Sequence, residues 1–227
     1  MESRHPLSDG GATLAVLDAN VLLPPRLSDM LFDLHLAGLF SPRWTQKTEA
    51  EFIKNFGMVV YGKSKTRQKP ITFNAPDPMH VQAGERRLGC FRSAVGPDYE
   101  LLLHDLPMYI AKVPPKVDQG DVHIVSAALV ALEYTQQFGQ KDKVYIVSSN
   151  LKHLAVDDVK ALGINVVSPG KFIDLLYEAE PGRVEQALSK SLSDLSSPAL
   201  TRQDLLEILK GHKAAQTATG LSKRWRL

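Results

Sequence analysis

The sequence predicts an α/β fold with a central, mainly parallel sheet, because short apolar runs alternate with segments of helical periodicity. Continuous apolar runs occupy residues 13–18 (TLAVLD), 143–150 (KVYIVSSN) and 164–168 (INVVS). Such runs are typical of parallel strands that are buried on both faces. A shorter strand is expected at residues 40–44, directly after the first helix.

Helical periodicity begins soon after the first strand. The apolar side chains at helical spacing are Leu27, Met30, Leu31, Leu34 and Leu39. Gly38 marks the expected end of this helix. Thr45 is a candidate N-cap for the next helix, which carries Glu49 and Glu51.

The middle of the chain is interpreted as a loop, an interrupted helix and a strand. Residues 57–79 are rich in proline and polar side chains, which indicates an exposed loop. Residues 80–106 look helical with a break at VGPD, and residues 108–115 (MYIAKVPP) resemble a strand. A long helix is expected over residues 118–139, with Asp121 near its first turn.

Helices dominate the rest of the chain. They are expected over residues 154–163, 169–180 and 183–195, on either side of the last strand. A further helix is predicted by Thr201 and Asp204, whose spacing is that of a capping box.

This pattern predicts one main domain with two appendages. Residues 1–12 are polar with paired glycines and predict a flexible N-terminus. Residues 13–170 contain the strands of the expected sheet and form the α/β domain. Residues 171–227 predict helices alone and are interpreted as a C-terminal helical extension.

Composition narrows the class of protein. Hydrophobic residues make up 44% of the 227 residues and charged residues 23%, so a sizeable globular core is expected. The formal charge of +2 is too small to indicate a nucleic-acid partner by itself. The single cysteine, Cys90, excludes an intramolecular disulfide and a cysteine-rich metal site. Without a signal-peptide pattern or a long apolar run, we expect a cytoplasmic protein that does not span a membrane.

Carboxylates lie at the positions where open parallel sheets bind ligands, the carboxyl ends of strands. Asp18 ends the first strand, and Asp118 and Asp121 open the long helix three residues apart. Glu51, on the helix after the second strand, could join them. Because crowded carboxylates repel each other unless a cation compensates, the pattern predicts a site for Mg²⁺ or Mn²⁺, which prefer oxygen ligands.

Four segments, in order, resemble the motifs of the PIN-domain nucleases, in particular the group that includes VapC-type toxins. They read LDANVLL, RWT…EAEFIKN, DQGDVHIVSAAL and VYIVSSNLKHL, and the resemblance covers about residues 13–168. It implies a PIN-like (Rossmann-like) α/β/α sandwich with a central sheet. It also implies an acidic catalytic site formed by Asp18, Glu51, Asp118 and Asp121.

The same resemblance assigns further roles within this site. The implied metal ligands are Asp18, Asp118 and Asp121. The implied supporting polar residues are Asn20, Ser148 and Asn150. The family usually carries an acidic residue near the last strand, although this residue is variable. Asn150 is neutral here, so the resemblance does not establish a complete second metal site.

The resemblance implies a metal-dependent endoribonuclease, in which the cation activates a water molecule for attack on an RNA phosphodiester. A toxin of this kind would be inhibited by a small antitoxin, and the helical extension is a candidate surface for that partner or for a homodimer. Basic side chains supply phosphate contacts, and the candidates are Arg43, Lys63, Lys65 and Arg67. Trp225, between two basic residues, could stack on a base.

Two other functions are weighed against the nuclease. A non-catalytic PIN-like module that binds RNA or protein is left open by the neutral Asn150, although the retained carboxylates argue against it. A phosphohydrolase of the haloacid-dehalogenase type also begins with an aspartate at a strand end. That chemistry needs a second acid where this chain has Asn20, so it is rejected.

Several of these residues also have purely structural interpretations. Asp121 could be only an N-cap of the long helix, and His123 is interpreted as a packing histidine. Glu49 lies two residues before Glu51, and the helix is expected to turn only one of them inward. The basic C-terminal residues are interpreted as a disordered tail.

Overall fold

A four-stranded, all-parallel sheet forms the centre of the protein. The computed structural model describes residues 12–60, 77–137, 143–194 and 199–227. The strands are β1 (Thr13–Leu17), β2 (Ser41–Arg43), β3 (Lys143–Val147) and β4 (Asn165–Val167). They lie in the order β2-β1-β3-β4. The predicted α/β class is therefore confirmed, with all four neighbouring strands parallel.

Helices cover both faces of the sheet. Before β3 they are α1 (Ala19–Leu22), α2 (Pro25–Leu36), α3 (Gln46–Val60), α4 (Pro78–Val95), α5 (Pro107–Ile110) and α6 (Val122–Gln137). After β3 they are α7 (Val156–Ala161), α8 (Pro169–Ala179), α9 (Pro181–Asp194), α10 (Arg202–Gly211) and α11 (Ala215–Trp225). Short 3-10 helices span Pro97–Tyr99 and Leu151–His153.

Alternate side chains of β1 and β3 enter different cores. Ala15 and Leu17 of β1 pack with α1–α4 and α8–α11, whereas Val16 packs with α5–α7. In β3, Val147 joins the first core and Ile146 the second. Because both faces are covered, residues 14–17 of β1 and residues 144–147 of β3 are apolar or aromatic, as expected for a covered parallel sheet, whereas Lys143 at the start of β3 is exposed.

Local signals for helix ends are confirmed. The hydroxyl of Thr45 accepts a hydrogen bond from the Thr48 N–H (3.1 Å), as an N-cap does. Gly38 follows α2 with φ of 73°, a backbone conformation that favours glycine. Thr201 and Asp204 form the predicted capping box at the start of α10.

The expected strand at residues 108–115 is wrong, since this segment begins within the short helix α5 and continues as turns. Pro107 occupies the first turn of α5, where its missing N–H costs nothing. Tyr109 is buried against the core of α6. A short apolar run cannot be assigned to strand or helix by periodicity alone, and here packing on α6 decided it.

Two other boundaries differ from expectation. The loop expected over residues 57–79 differs from the structure at both ends. Its first residues belong to α3 and its last residues to α4. Residues 61–76 lie outside the described part. Gly57 allows α3 to approach α4 closely, since a Cβ there would lie 2.5 Å from His80 Nδ1. The helix expected over residues 80–106 ends at Val95, and residues 101–106 are turns or irregular.

The C-terminal basic segment is ordered, so its interpretation as a disordered tail is wrong. Helix α11 packs on α8, and Asp174 of α8 accepts hydrogen bonds from the Thr217 N–H and hydroxyl (both 2.8 Å). Trp225 is buried and donates to Glu185 (3.1 Å), so it is not available to stack on a base. Helices α8–α11 share one core with the sheet and α2.

None of the helices in the described ranges is long and apolar enough to cross a membrane. The predicted flexible N-terminus covers residues 1–12, and residues 1–11 of it lie outside the described part. The expected end of the long helix at Gly139 also lies outside it.

Candidate active site

Asp18 and Ser148 lie side by side at the carboxyl ends of β1 and β3. The strand order reverses direction here, because β2 lies on one side of β1 and β3 on the other. Open parallel sheets bind ligands in the crevice at such a point. The Asp18 N–H continues the ladder by donating to the Val147 carbonyl (3.2 Å), so the backbone of the aspartate is held by the sheet.

The carboxylate of Asp18 is oriented by two polar neighbours, Ser148 and Asn20. The Ser148 hydroxyl donates to Asp18 Oδ2 (2.6 Å), and the Asn20 side-chain amide donates to the same oxygen. The Asn20 amide also donates to Ser148 Oγ (3.2 Å), and Asn20 Oδ1 accepts from the Ser149 N–H (2.8 Å). Asn20 and Ser148 therefore both contact the carboxylate of Asp18 and also contact each other. Asn150 contributes its backbone N–H, which donates to Ser148 Oγ (3.0 Å).

Three carboxylates in this region act on each other electrostatically. Burial raises the pKa of Asp18, and the nearby charge of Glu51 adds to the effect, while the hydrogen bond from Ser148 opposes it. Burial also raises the pKa of Asp121, followed by the charge of Asp18. Asp18, Glu51 and Asp121, from separate segments, are therefore brought together at one edge of the sheet.

Asp118 and Asp121 lie in a turn that precedes α6, rather than in its first turn. The Asp121 N–H donates to the Asp118 carbonyl (2.8 Å), and the Asp118 N–H donates to the His153 carbonyl (3.0 Å). The imidazole Nδ1 of His153 contacts Asp118 Oδ2. One ligand atom each from Asp118, Asp121 and His153 lie within 4.8 Å of one another, a spacing that could hold a metal ion.

The group of side chains that could hold a metal ion does not coincide with the ligand set implied by the resemblance. Asp118 and Asp121 belong to the group that could hold a metal ion, His153 joins them, and Asp18 lies beside the group rather than in it. His153 was overlooked at the sequence level. A signal for it existed, because His153 lies three residues after Asn150, just beyond the carboxyl end of β3.

His123 is buried, with 6% of its surface exposed, on the first turn of α6. Its Nδ1 is hydrogen-bonded to the Thr45 hydroxyl (3.0 Å). Its Nε2 lies 3.4 Å from Glu51 Oε1 and has no hydrogen-bond partner among the described residues. The interpretation as a satisfied packing histidine thus holds for one ring nitrogen, while the other faces Glu51. Asp18, Glu51, Asp118 and Asp121 are called the acidic group below.

Glu49 and Glu51 have different environments although they are two residues apart on α3. Glu49 is buried, accepts from Trp44 Nε1 (2.9 Å) and forms an ion pair with Arg92 (2.5 Å). Glu51 is partly exposed and acts on Asp18 and Asp121. Both glutamates turn inward, one towards α4 and one towards the acidic group.

The basic residues expected to contact RNA are only partly described. Lys63, Lys65 and Arg67 lie outside the described part of the chain. Arg43 is partly buried, its guanidinium donates to the Pro42 carbonyl (2.9 Å), and burial lowers its pKa. Lys47 on α3 reaches the turn before α6, where its Nζ donates to the Gly120 carbonyl (3.1 Å).

Comparison of the chain with protein-family models, with curated proteins and with solved structures finds no significant match. The class that the fold itself defines is an α/β protein with a parallel sheet between two helical layers.

Burial of Asp18 and Asp121, with repulsion between carboxylates as a smaller cause, predicts a stability that depends on pH and on cations. The pKa values of Asp18 and Asp121 are raised in the folded state. The two protonated carboxyl groups therefore make their full contribution to stability below about pH 4, and this contribution is lost as pH rises through the raised pKa values. A bound divalent cation is expected to offset this loss at pH 7, by about 2.7 kcal/mol at a hundredfold excess over its Kd. The measurement is the melting temperature in EDTA and in Mn²⁺ from pH 4 to pH 8.

Asp121→Asn provides the comparison, because it removes one of the repelling charges. In EDTA we expect the variant to become more stable relative to the wild type as pH rises, and to lose most of the stabilisation by Mn²⁺. A melting-temperature difference that is independent of pH, with Mn²⁺ stabilising both proteins equally, would contradict the electrostatic interpretation.

Proposed function

We propose that this protein is a metal-dependent endoribonuclease of the PIN-like type. The observation that carries the proposal is the convergence of Asp18, Glu51, Asp118 and Asp121 at the switch point of a parallel sheet. Keeping several repelling carboxylates together is unfavourable for folding. It is useful when they hold a divalent cation, which lowers the pKa of a water molecule and stabilises charge on a phosphate.

The residues present fit such a cation by their donor chemistry. Asp118, Asp121 and His153 offer one ligand atom each within 4.8 Å, and Asp18 lies next to them with its carboxylate oriented by Ser148. Mg²⁺ and Mn²⁺ are the candidate cations.

The protein's own side chains divide the remaining tasks. Glu51, which is partly exposed and acts on Asp18 through its charge, would orient the attacking water and accept its proton. Ser148 is buried and donates its hydroxyl proton to Asp18, so it serves orientation and not nucleophilic attack. Hydrolysis by water therefore needs no covalent intermediate with the protein.

Lys47 supplies positive charge at the same place. Lys47 and Glu51 are four residues apart on α3 and so share one side of the helix. Lys47 Nζ lies at the turn between Asp118 and Asp121, where an RNA phosphate approaching the cation would pass. Arg43, which is partly buried near Asp98, has a smaller part in this proposal.

The experiment that tests the proposal is cleavage of a labelled, structured RNA by the purified full chain. We expect cleavage in Mn²⁺ or Mg²⁺, none in EDTA, and products with a 5′-phosphate. Cleavage that persists in EDTA would exclude the metal-dependent reaction.

A non-catalytic PIN-like module that binds RNA or protein is the second candidate, favoured by the neutral Asn150 beside the site. The two functions differ in what Asp18→Ala does. If the protein is a binding module, the wild type and the variant would bind RNA equally well, and neither would cleave RNA with any cation. A nuclease would lose cleavage in the variant while keeping RNA binding.

A role as the toxin of a toxin–antitoxin pair is the narrower part of the proposal. It is supported by the resemblance of the ordered sequence motifs to VapC-type toxins, and the expected partner is a small antitoxin that covers the acidic group. An adjacent gene for a small DNA-binding protein whose product co-purifies with this chain would support the role. Growth inhibition by the chain alone, relieved by that product, would complete the test.

A further inference from the structure

Two histidines frame the acidic group. His153 places one ring nitrogen within 4.8 Å of carboxylate oxygens of both Asp118 and Asp121. His123 is buried, and its Nε2, which has no hydrogen-bond partner among the described residues, lies 3.4 Å from Glu51 Oε1. Both imidazoles therefore face carboxylates at the candidate metal centre.

Other histidines of the protein serve the fold instead. The ring of His35 is hydrogen-bonded to the carbonyls of Phe40 (2.9 Å) and Ala94 (3.3 Å). His104 Nδ1 is hydrogen-bonded to the carbonyl of Leu101 (2.8 Å). These contacts join segments of the backbone. His153 and His123 differ from them because their nearest charged partners are acids of one cluster.

We propose that the centre binds a first-row transition cation such as Mn²⁺ or Co²⁺ in preference to Mg²⁺, with His153 as a nitrogen ligand beside Asp118 and Asp121. Mg²⁺ favours an octahedral shell of oxygens and keeps several waters. Imidazole nitrogen instead suits transition cations. This inference rests on the proposed function, because it names the class of cation that binds at the same site.

The position of His153 is determined by the backbone. His153 ends the single 3-10 turn that follows β3, and its carbonyl accepts from the Asp118 N–H (3.0 Å). The side chains of His153 and Asp118 are 36% and 56% exposed, so a cation from solution reaches them. A histidine and a carboxylate that are linked in both backbone and side chain stay together before any cation binds.

His123 is the independent sign of a polar ligand at this place. A buried polar nitrogen without a partner is unfavourable and uncommon in folded proteins. Nε2 lies 3.4 Å from Glu51 Oε1, a carboxylate that acts on both Asp18 and Asp121. A hydrated cation among these carboxylates would provide the missing partner.

The test is calorimetric titration of the full chain, without RNA, with MnCl₂ and with MgCl₂. The variants are His153→Ala, His153→Asp and the control His104→Asn, and circular dichroism checks that each is folded. We expect the wild type to prefer Mn²⁺, and His153→Ala to bind Mn²⁺ about 10- to 100-fold more weakly. His153→Asp, which makes the donors all oxygen, should bind Mg²⁺ more tightly than the wild type does. His104→Asn should bind like the wild type.

The inference is overturned if the wild type binds both cations equally, or if His153→Ala leaves Mn²⁺ affinity unchanged. These outcomes are distinct from failure of the nuclease proposal. Tight Mn²⁺ binding that needs His153, without RNA cleavage, would keep the cation site and reject the nuclease. RNA cleavage that depends on Mg²⁺ and not on His153 would keep the nuclease and reject the cation preference.

Discussion

Replacing Asp18 by asparagine is expected to lower kcat/KM for RNA cleavage about 10³-fold, because a negative charge that helps to hold the cation is removed. The substitution keeps the shape of a buried side chain that contacts Ser148 and Asn20. It also removes a charge that acts on Asp121. Single-turnover cleavage of a labelled RNA in Mn²⁺ is the measurement.

Asp157→Asn is the matched control. Asp157 is an exposed aspartate in the first turn of α7, outside the acidic group, and its loss should leave cleavage unchanged. Both variants should melt within a few degrees of the wild type in the presence of Mn²⁺. Full activity of folded Asp18→Asn would show that the reaction does not use this carboxylate and that the site is wrongly placed.

Replacing Glu49 by alanine is expected to lower the free energy of unfolding by about 3 kcal/mol. The substitution leaves the indole N–H of fully buried Trp44 without its acceptor and removes the ion pair with Arg92. This value is the lower end of the range of free energies lost when one partner of a buried ion pair is removed. We choose it because the side chain of Arg92 is 36% exposed and solvent screens its charge. Urea denaturation followed by circular dichroism measures the change.

Glu51→Ala is the comparison for this second prediction. Glu51 is partly exposed and faces other carboxylates, so its removal should change the free energy of unfolding by less than about 1 kcal/mol. It should nevertheless strongly reduce RNA cleavage. If Glu49→Ala were as stable as Glu51→Ala, the Trp44–Glu49–Arg92 contacts would not stabilise the protein.

The fold class was predictable because a covered parallel sheet leaves a simple pattern. Both faces of β1 and β3 are buried, so their residues form continuous apolar runs in the sequence. Helix ends at Gly38 and Thr201 were predictable for a similar reason, since the capping interactions are local.

Segments whose structure depends on distant packing were not predictable. Residues 108–115 have an apolar run of strand length, yet α5 forms because Tyr109 packs on the core of α6. The basic C-terminal residues look like a solvated tail, yet α11 is held by Asp174 on α8 and by Glu185 on α9. Each of these outcomes depends on contacts between residues far apart in the sequence.

The candidate site divides in the same way. The order and spacing of acidic residues pointed to Asp18, Glu51, Asp118 and Asp121, and the structure brings them to one edge of the sheet. Their convergence itself could not be derived from spacing, because the strand order decides which chain ends meet.

By itself, therefore, the sequence determined the parallel α/β class, the ends of several helices and the acidic character of the site. These properties follow from buried apolar runs, from capping residues within a few positions of each other, and from residue types. Only the tertiary structure decided that His153 joins Asp118 and that Glu49 pairs with Arg92. The reason is physical, since a side chain's partners are set by how strands and helices pack in space and not by its neighbours along the chain.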